Sequence, residues 1–182
     1  VVSALTGLML AEDKSLATLA VAAMMVGVMV ATVPASLLMR RIGRRAGFTI
    51  GQLCGATSAL ISVYAIFTEN FWLFVAAGPI YGIHTAFFHY YRFAAADAAT
   101  EAFRSRAISY VLTGGVVAAI LGPELAKLTR DLFAPIVFAG SYATIFVLCL
   151  LSMTVMQFIK FKPPSVQEQM ARGRSLSEIA RT

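Results

Sequence analysis

Hydrophobic and polar positions in this chain are segregated into long blocks rather than alternating with the short period of a soluble strand or an amphipathic helix. Five apolar runs cover about 17–38, 47–67, 71–95, 107–128 and 134–159. Four are clean and one qualifies once glycine is admitted. Each approaches the roughly 20 apolar residues that a bilayer-crossing helix needs. The opening stretch Val1–Leu10 is apolar but too short to cross, and reads as the end of a helix whose beginning is missing. The expectation is an all-α, polytopic membrane protein with five full transmembrane helices plus the end of a first one.

Short charged connectors separate the runs, and alternate connectors must lie on opposite sides of the membrane. One set holds Arg40, Arg41, Arg44, Arg45, Arg104, Arg106, Lys160, Lys162, Arg172, Arg174 and Arg181; the other holds Lys14, Lys127 and Arg130. Positive charge is retained in the cytoplasm, so the first set is placed inside, together with the C-terminal tail. Residues 1–159 then form a transmembrane half-bundle with a truncated first helix, and 160–182 a basic cytoplasmic linker. Pro163 and Pro164 end the last run, and Ser175 with Glu178 has the spacing of a capping box opening another helix.

Internal spacing adds a symmetry. Pro34 and Pro123 lie late in their runs and 89 residues apart. The same offset carries the 17–38 run onto 107–128 and the 47–67 run onto 134–159. Three spans per unit is an odd number, so the second copy is inverted in the membrane, a common construction in secondary transporters. The offset also leaves the first helix about 18 residues short, close to one span.

Composition agrees with the pattern. Of 182 residues, 59% are hydrophobic and 13% charged, with a mean hydropathy of +0.78. A soluble domain carries about 25% charged residues, so the surplus apolar surface must face lipid. The net charge of +6 comes from basic residues that sit mostly between the apolar runs, the membrane pattern, and does not point to nucleic acid. Cys54 and Cys149 each sit inside an apolar run without CxxC spacing and read as small buried hydrophobes.

Candidate chemistry concentrates in the 71–95 run. His84 falls near its middle, where an ionisable side chain is expensive and tends to face a cavity. Tyr81, Phe88 and Tyr91 share its face at helical spacing. One reading is a cavity-lining stripe that stacks or hydrogen-bonds a substrate; the other is a neutral histidine bonded to a neighbouring helix among packed aromatics. Arg92 either snorkels to the headgroups or meets an anionic group in the cavity. Pro79, flanked by Gly78 and Gly82, can bend this run.

Elsewhere, Gly115, Gly122 and Pro123 predict a helix kink. Glu124 is a candidate proton relay or an i,i+3 partner of Lys127. Met25 and Met29 share one face and are weak candidates for a soft metal. Gly47, Gly51, Gly55 and Ala59 form a small-residue ladder suited to close helix approach. No HExxH, GxSxG or paired mid-membrane carboxylates are present, so no enzyme is expected, and no cofactor.

The segment from Ser36 to Arg45 resembles the signature of the major facilitator superfamily, G-x-x-x-D-R-x-G-R-R. Arg41, Gly43, Arg44 and Arg45 match it, Ser36 stands for the glycine, and Arg40 replaces the aspartate that helps lock the family's cytoplasmic gate. The run Gly115–Pro123 resembles the family's fifth-helix kink motif. The stretch Tyr91–Asp97, with Phe103–Ala107 after it, is similar to a proteobacterial branch that includes CcoA-like copper importers and riboflavin-transporter-like proteins. The resemblance implies half of a twelve-helix secondary transporter, moving a small molecule or ion across the bacterial inner membrane by alternating access. Its partners would be the lipid bilayer, the substrate and a missing C-terminal half, with Tyr81, His84, Phe88, Tyr91 and Arg92 lining the cavity. The alternative is a non-transporting membrane subunit that packs against a larger complex.

Overall fold

The computed structural model describes residues 2–159, and these are all-helical, without strands. Seven α-helices follow in order: α1 (Val2–Leu10), α2 (Leu19–Ile42), α3 (Arg44–Phe67), α4 (Phe71–Phe88), α5 (Tyr91–Ala98), α6 (Arg104–Thr129) and α7 (Ala139–Phe158). Five spans are long and apolar enough to cross a membrane: Lys14–Ile42, Arg44–Phe67, Phe71–Ala98, Glu101–Thr129 and Ala139–Phe158. The tail from 160 onward, with its prolines, basic residues and Ser175–Glu178 spacing, lies outside the described residues.

The distribution of polarity is that of a protein dissolved in lipid. Large apolar side chains such as Met29, Val33, Ile120 and Val155 point outward, whereas Gln52, Ser58, Ser62 and Ser141 are buried. In hydrocarbon the outward apolar face costs nothing, and polar side chains are held inside where partners satisfy them.

Two kinds of close packing hold the bundle. Helices α2 and α4 meet backbone to backbone. A Cβ on Gly82 would lie 2.7 Å from Val28 N, and one on Gly78 would lie 2.6 Å from Ala20 O. Gly27 faces Pro79 in the same seam. The α3 glycine ladder works differently from the expected close approach of two backbones. Its glycines are notches that admit side chains: Phe87 over Gly51, and both His84 and Cys149 over Gly55. A missing Cβ can be filled by a side chain as readily as by a backbone, and here side chains fill it.

Two boundaries depart from the sequence expectation. The arginine segment 40–45 is no open connector, because α2 and α3 run into it from both sides and only Gly43 lies outside a helix. Arginine is a good helix former, and Arg40 and Arg41 suit the negative end of α2. Gly43 makes the turn at φ 87° and ψ 160°, a region open to glycine alone. The fourth span is interrupted at His89 and Tyr90 and resumes as α5, while α4 stays helical through Pro79. Helix α6 also runs unbroken through Gly115, Gly122 and Pro123. No residue of α6 is buried, and a Cβ on Gly114, Gly115 or Gly122 would meet nothing within 4 Å.

Candidate functional site

The α4 stripe forms two aromatic pairs, one within α4 and one across the α4–α5 break. On the α4 side the Tyr81 and His84 rings lie 5.2 Å apart; across the break Phe88 and Tyr91 lie 5.3 Å apart in an edge-on arrangement. His84 is partly buried against α3, with Nδ1 3.0 Å from Gly51 O. A neutral imidazole bonded in this way carries its proton on Nδ1 and leaves Nε2 as an acceptor. Tyr91 is further fixed by Phe48 of α3, whose ring centroid lies 4.7 Å away, edge to face.

Three helices supply polar groups that sequence reasoning missed. Gln52 of α3 donates from Nε2 to Tyr91 Oη at 2.6 Å and to Ser152 Oγ of α7 at 2.9 Å. Nearer α1, a cavity of about 90 Å³ is lined by Ser58, Ser62, Phe74, Tyr81 and Tyr142, among others. Ser58 Oγ donates to Ala77 O at 2.7 Å, and Tyr142 Oη donates to Ser3 Oγ at 3.3 Å. The available signal was a run of polar residues at helical spacing inside apolar spans: Gln52, Gly55, Ser58 and Ser62 on α3, and Tyr142, Cys149 and Ser152 on α7. Cavity and stripe together offer hydroxyl, amide, imidazole and aromatic groups, and no side-chain carboxylate or ammonium.

Phe88, although paired with Tyr91, is about half exposed, and the remaining candidates lie apart from this cluster. Arg92 is exposed, with its guanidinium 4.9 Å from the Phe93 ring centroid. Glu124 is exposed and bonded to Lys127, Oε1 to Nζ 2.7 Å, one turn along α6. Met25 and Met29 are exposed on α2. No cluster of three His, Cys, Asp or Glu residues able to hold a metal occurs among the described residues.

At the arginine-rich end the geometry is specific. Arg44 and Arg45 begin α3, where the helix dipole disfavours positive charge. Both find acceptors: Arg44 is ion-paired with Asp97 of α5, and Arg45 Nη2 donates to Ile159 O beyond α7, at 2.7 Å. Gln157 Nε2 donates to Thr49 Oγ1 at 3.0 Å and ties the same two helix ends. Ser36 is spent on its own helix, donating to Val33 O at 2.9 Å. The Arg40 Nε is buried without a partner among the described residues.

A lipid-facing apolar exterior, a polar interior and an arginine-braced turn between α2 and α3 are the build of a polytopic transporter bundle. Residues 1–179 match the Major Facilitator Superfamily, and the chain belongs to it. Over 98% of its length it is 38% identical to the riboflavin transporter RfnT of Brucella anthropi, covering 45% of that protein. It is 30% identical to the uncharacterized MFS-type transporter YdeG of Bacillus subtilis over 69% of this chain and 30% of that one. The chain thus spans less than half the length of the curated relatives it matches. No solved structure matches it.

Proposed function

We propose that this bundle is one half of a secondary transporter that carries an uncharged, aromatic, hydrogen-bonding solute of the riboflavin kind across the bacterial inner membrane. The bundle, residues 1–159, pairs with a second one, and the solute lies between them. Alternating access follows from rocking one bundle against the other. The tail from 160 and the arginine-rich end face the cytoplasm, in keeping with the retention of positive charge. The chain is a carrier and not an enzyme.

One observation carries the reading. The α4 stripe and the adjoining cavity offer stacking rings and neutral donors and acceptors without a fixed charge. Such a surface suits a planar heteroaromatic solute with carbonyl and hydroxyl groups, because each polar group leaving water needs a partner. A strongly charged solute would meet no counter-charge there. The 38% identity to a riboflavin transporter over almost the whole chain supports the same class.

The test is uptake by the complete gene product in a bacterial riboflavin auxotroph without its own importer. Saturable entry of labelled riboflavin, competed by unlabelled riboflavin, is expected. Entry no faster than with an empty vector, at verified membrane expression, overturns the solute assignment.

A further inference from the structure

We propose that Gln52 is a positioning residue: it pins Tyr91 at the α4–α5 break and sets the direction in which the phenol meets the solute. The inference rests on the reading of Tyr91 as a solute-contacting residue.

Gln52 is 5% exposed in the interior of a membrane-crossing helix, where an amide is costly unless bonded. Its Nε2 has two protons, and both are used on other helices, one on Tyr91 Oη and one on Ser152 Oγ. The amide therefore joins α3, α5 and α7 at one point.

That point is the joint of the fourth span. Tyr91 is the first residue of α5, directly after the interruption at His89 and Tyr90. Tyr90, one residue earlier, donates its hydroxyl proton to Thr32 O of α2 at 2.9 Å. Two consecutive tyrosines thus stake the break to different helices. Tyr90 is held by a backbone carbonyl that no substitution can remove, whereas Tyr91 depends on the Gln52 side chain. Phe48 and Phe88 hold the Tyr91 ring edge-on, and the amide, with Ser152 beside it, fixes its oxygen. Because Oη accepts from Gln52, the lone pair on that side is occupied and the phenol meets a solute as a hydrogen-bond donor, toward an acceptor such as a ring carbonyl.

Riboflavin transport by the complete gene product separates positioning from simple packing. Gln52→Leu keeps the volume and removes both bonds; a KM raised about three- to tenfold is expected, the worth of one hydrogen bond, with the maximal rate per folded molecule nearly unchanged. Gln52→Glu, which as a neutral acid can still bridge the two hydroxyls, should keep the wild-type KM. Tyr91→Phe should raise KM alone, and adding Gln52→Leu to it should change KM no further. Should Gln52→Leu fail to accumulate, Gln52→Asn, one methylene too short to reach both hydroxyls, takes its place with the same expectation. A raised KM for Tyr91→Phe with a normal KM for Gln52→Leu, or two effects that multiply, overturns the positioning role alone. A normal KM for Tyr91→Phe overturns the solute-contacting reading of Tyr91, and the inference with it.

Discussion

Arg44, at the first turn of α3, is ion-paired with Asp97, near the last turn of α5, 53 residues along the chain. The pair cancels an arginine placed against the α3 dipole and ties the end of the broken fourth span to the α2–α3 turn. Half-exposed pairs of this kind are worth only about 0.2–1 kcal/mol in stability. The value of the pair therefore lies in where it holds α5. Asp97→Asn is predicted to lower the melting temperature in detergent only slightly and to cut transport per folded molecule severalfold. Exchanging the charges, Arg44→Asp with Asp97→Arg, should recover part of that loss. Unchanged specific transport in Asp97→Asn would show that the pair is ornamental.

Gly43 offers a sharper stability test. Its backbone, at φ 87° and ψ 160°, is a conformation that side-chain-bearing residues avoid. Gly43→Ala is predicted to cost about 1–3 kcal/mol, read as a clear fall in melting temperature. Chemical or thermal melting equal to wild type would mean that the turn has another accessible form.

The α2–α4 seam predicts a graded series. A Cβ on Gly82 would come 2.7 Å from a backbone nitrogen of α2, which cannot step aside as a side-chain tip can. Gly82→Ala should destabilise by about 1–3 kcal/mol, as overpacking does, and Gly82→Leu should abolish accumulation of folded protein. Equal folded yields for glycine, alanine and leucine at this position would place the two helices farther apart.

Orientation is checked by single cysteines in a background lacking Cys54 and Cys149. A cysteine at Glu12 should react with an impermeant thiol reagent added outside intact cells, and one at Ser105 should not. Both native side chains are exposed, and neither caps a helix, unlike Asn70, whose Oδ1 accepts from Leu73 N. Labelling of Ser105 from outside would invert the topology drawn from the arginines.

Much of the fold was legible because the bilayer imposes a length on every apolar run, and each of the five runs overlaps one of the five spans, with the largest offsets at the starts of the last two, 107 against 101 and 134 against 139. The family signature around Arg41, Gly43, Arg44 and Arg45 was legible for a similar reason: charge and glycine stand out against an apolar background. The break at His89 and Tyr90 was not legible, since neither residue is a helix breaker and the cause is tertiary, two tyrosines bonded to different helices. Pro79 and Pro123, the residues that local sequence marks for bending, both lie inside continuous helices. Gln52 was missed because its partners are 39 and 100 residues away: the spacing it shares with Ser58 and Ser62 marks a polar face of α3 but not what that face meets. The same distance hid the role of Asp97. Glu124 was read with its bond to Lys127 as one of two outcomes, and that bond is present on an exposed face of α6.

The central claim is that the α4 face carrying His84 contacts the solute, and His84→Ala in the complete gene product tests it most directly. Its one bond is to Gly51 O, a carbonyl already inside a helix and able to keep its own intrahelical partner. Losing the imidazole removes that bond, worth about 1 kcal/mol, and empties the notch over Gly55, so a modest fall in melting temperature is expected. Riboflavin transport per folded molecule should nevertheless fall at least tenfold, with the melting temperature measured on the same preparation. Normal transport per folded molecule beside a lowered melting temperature would contradict the account and make His84 a packing residue.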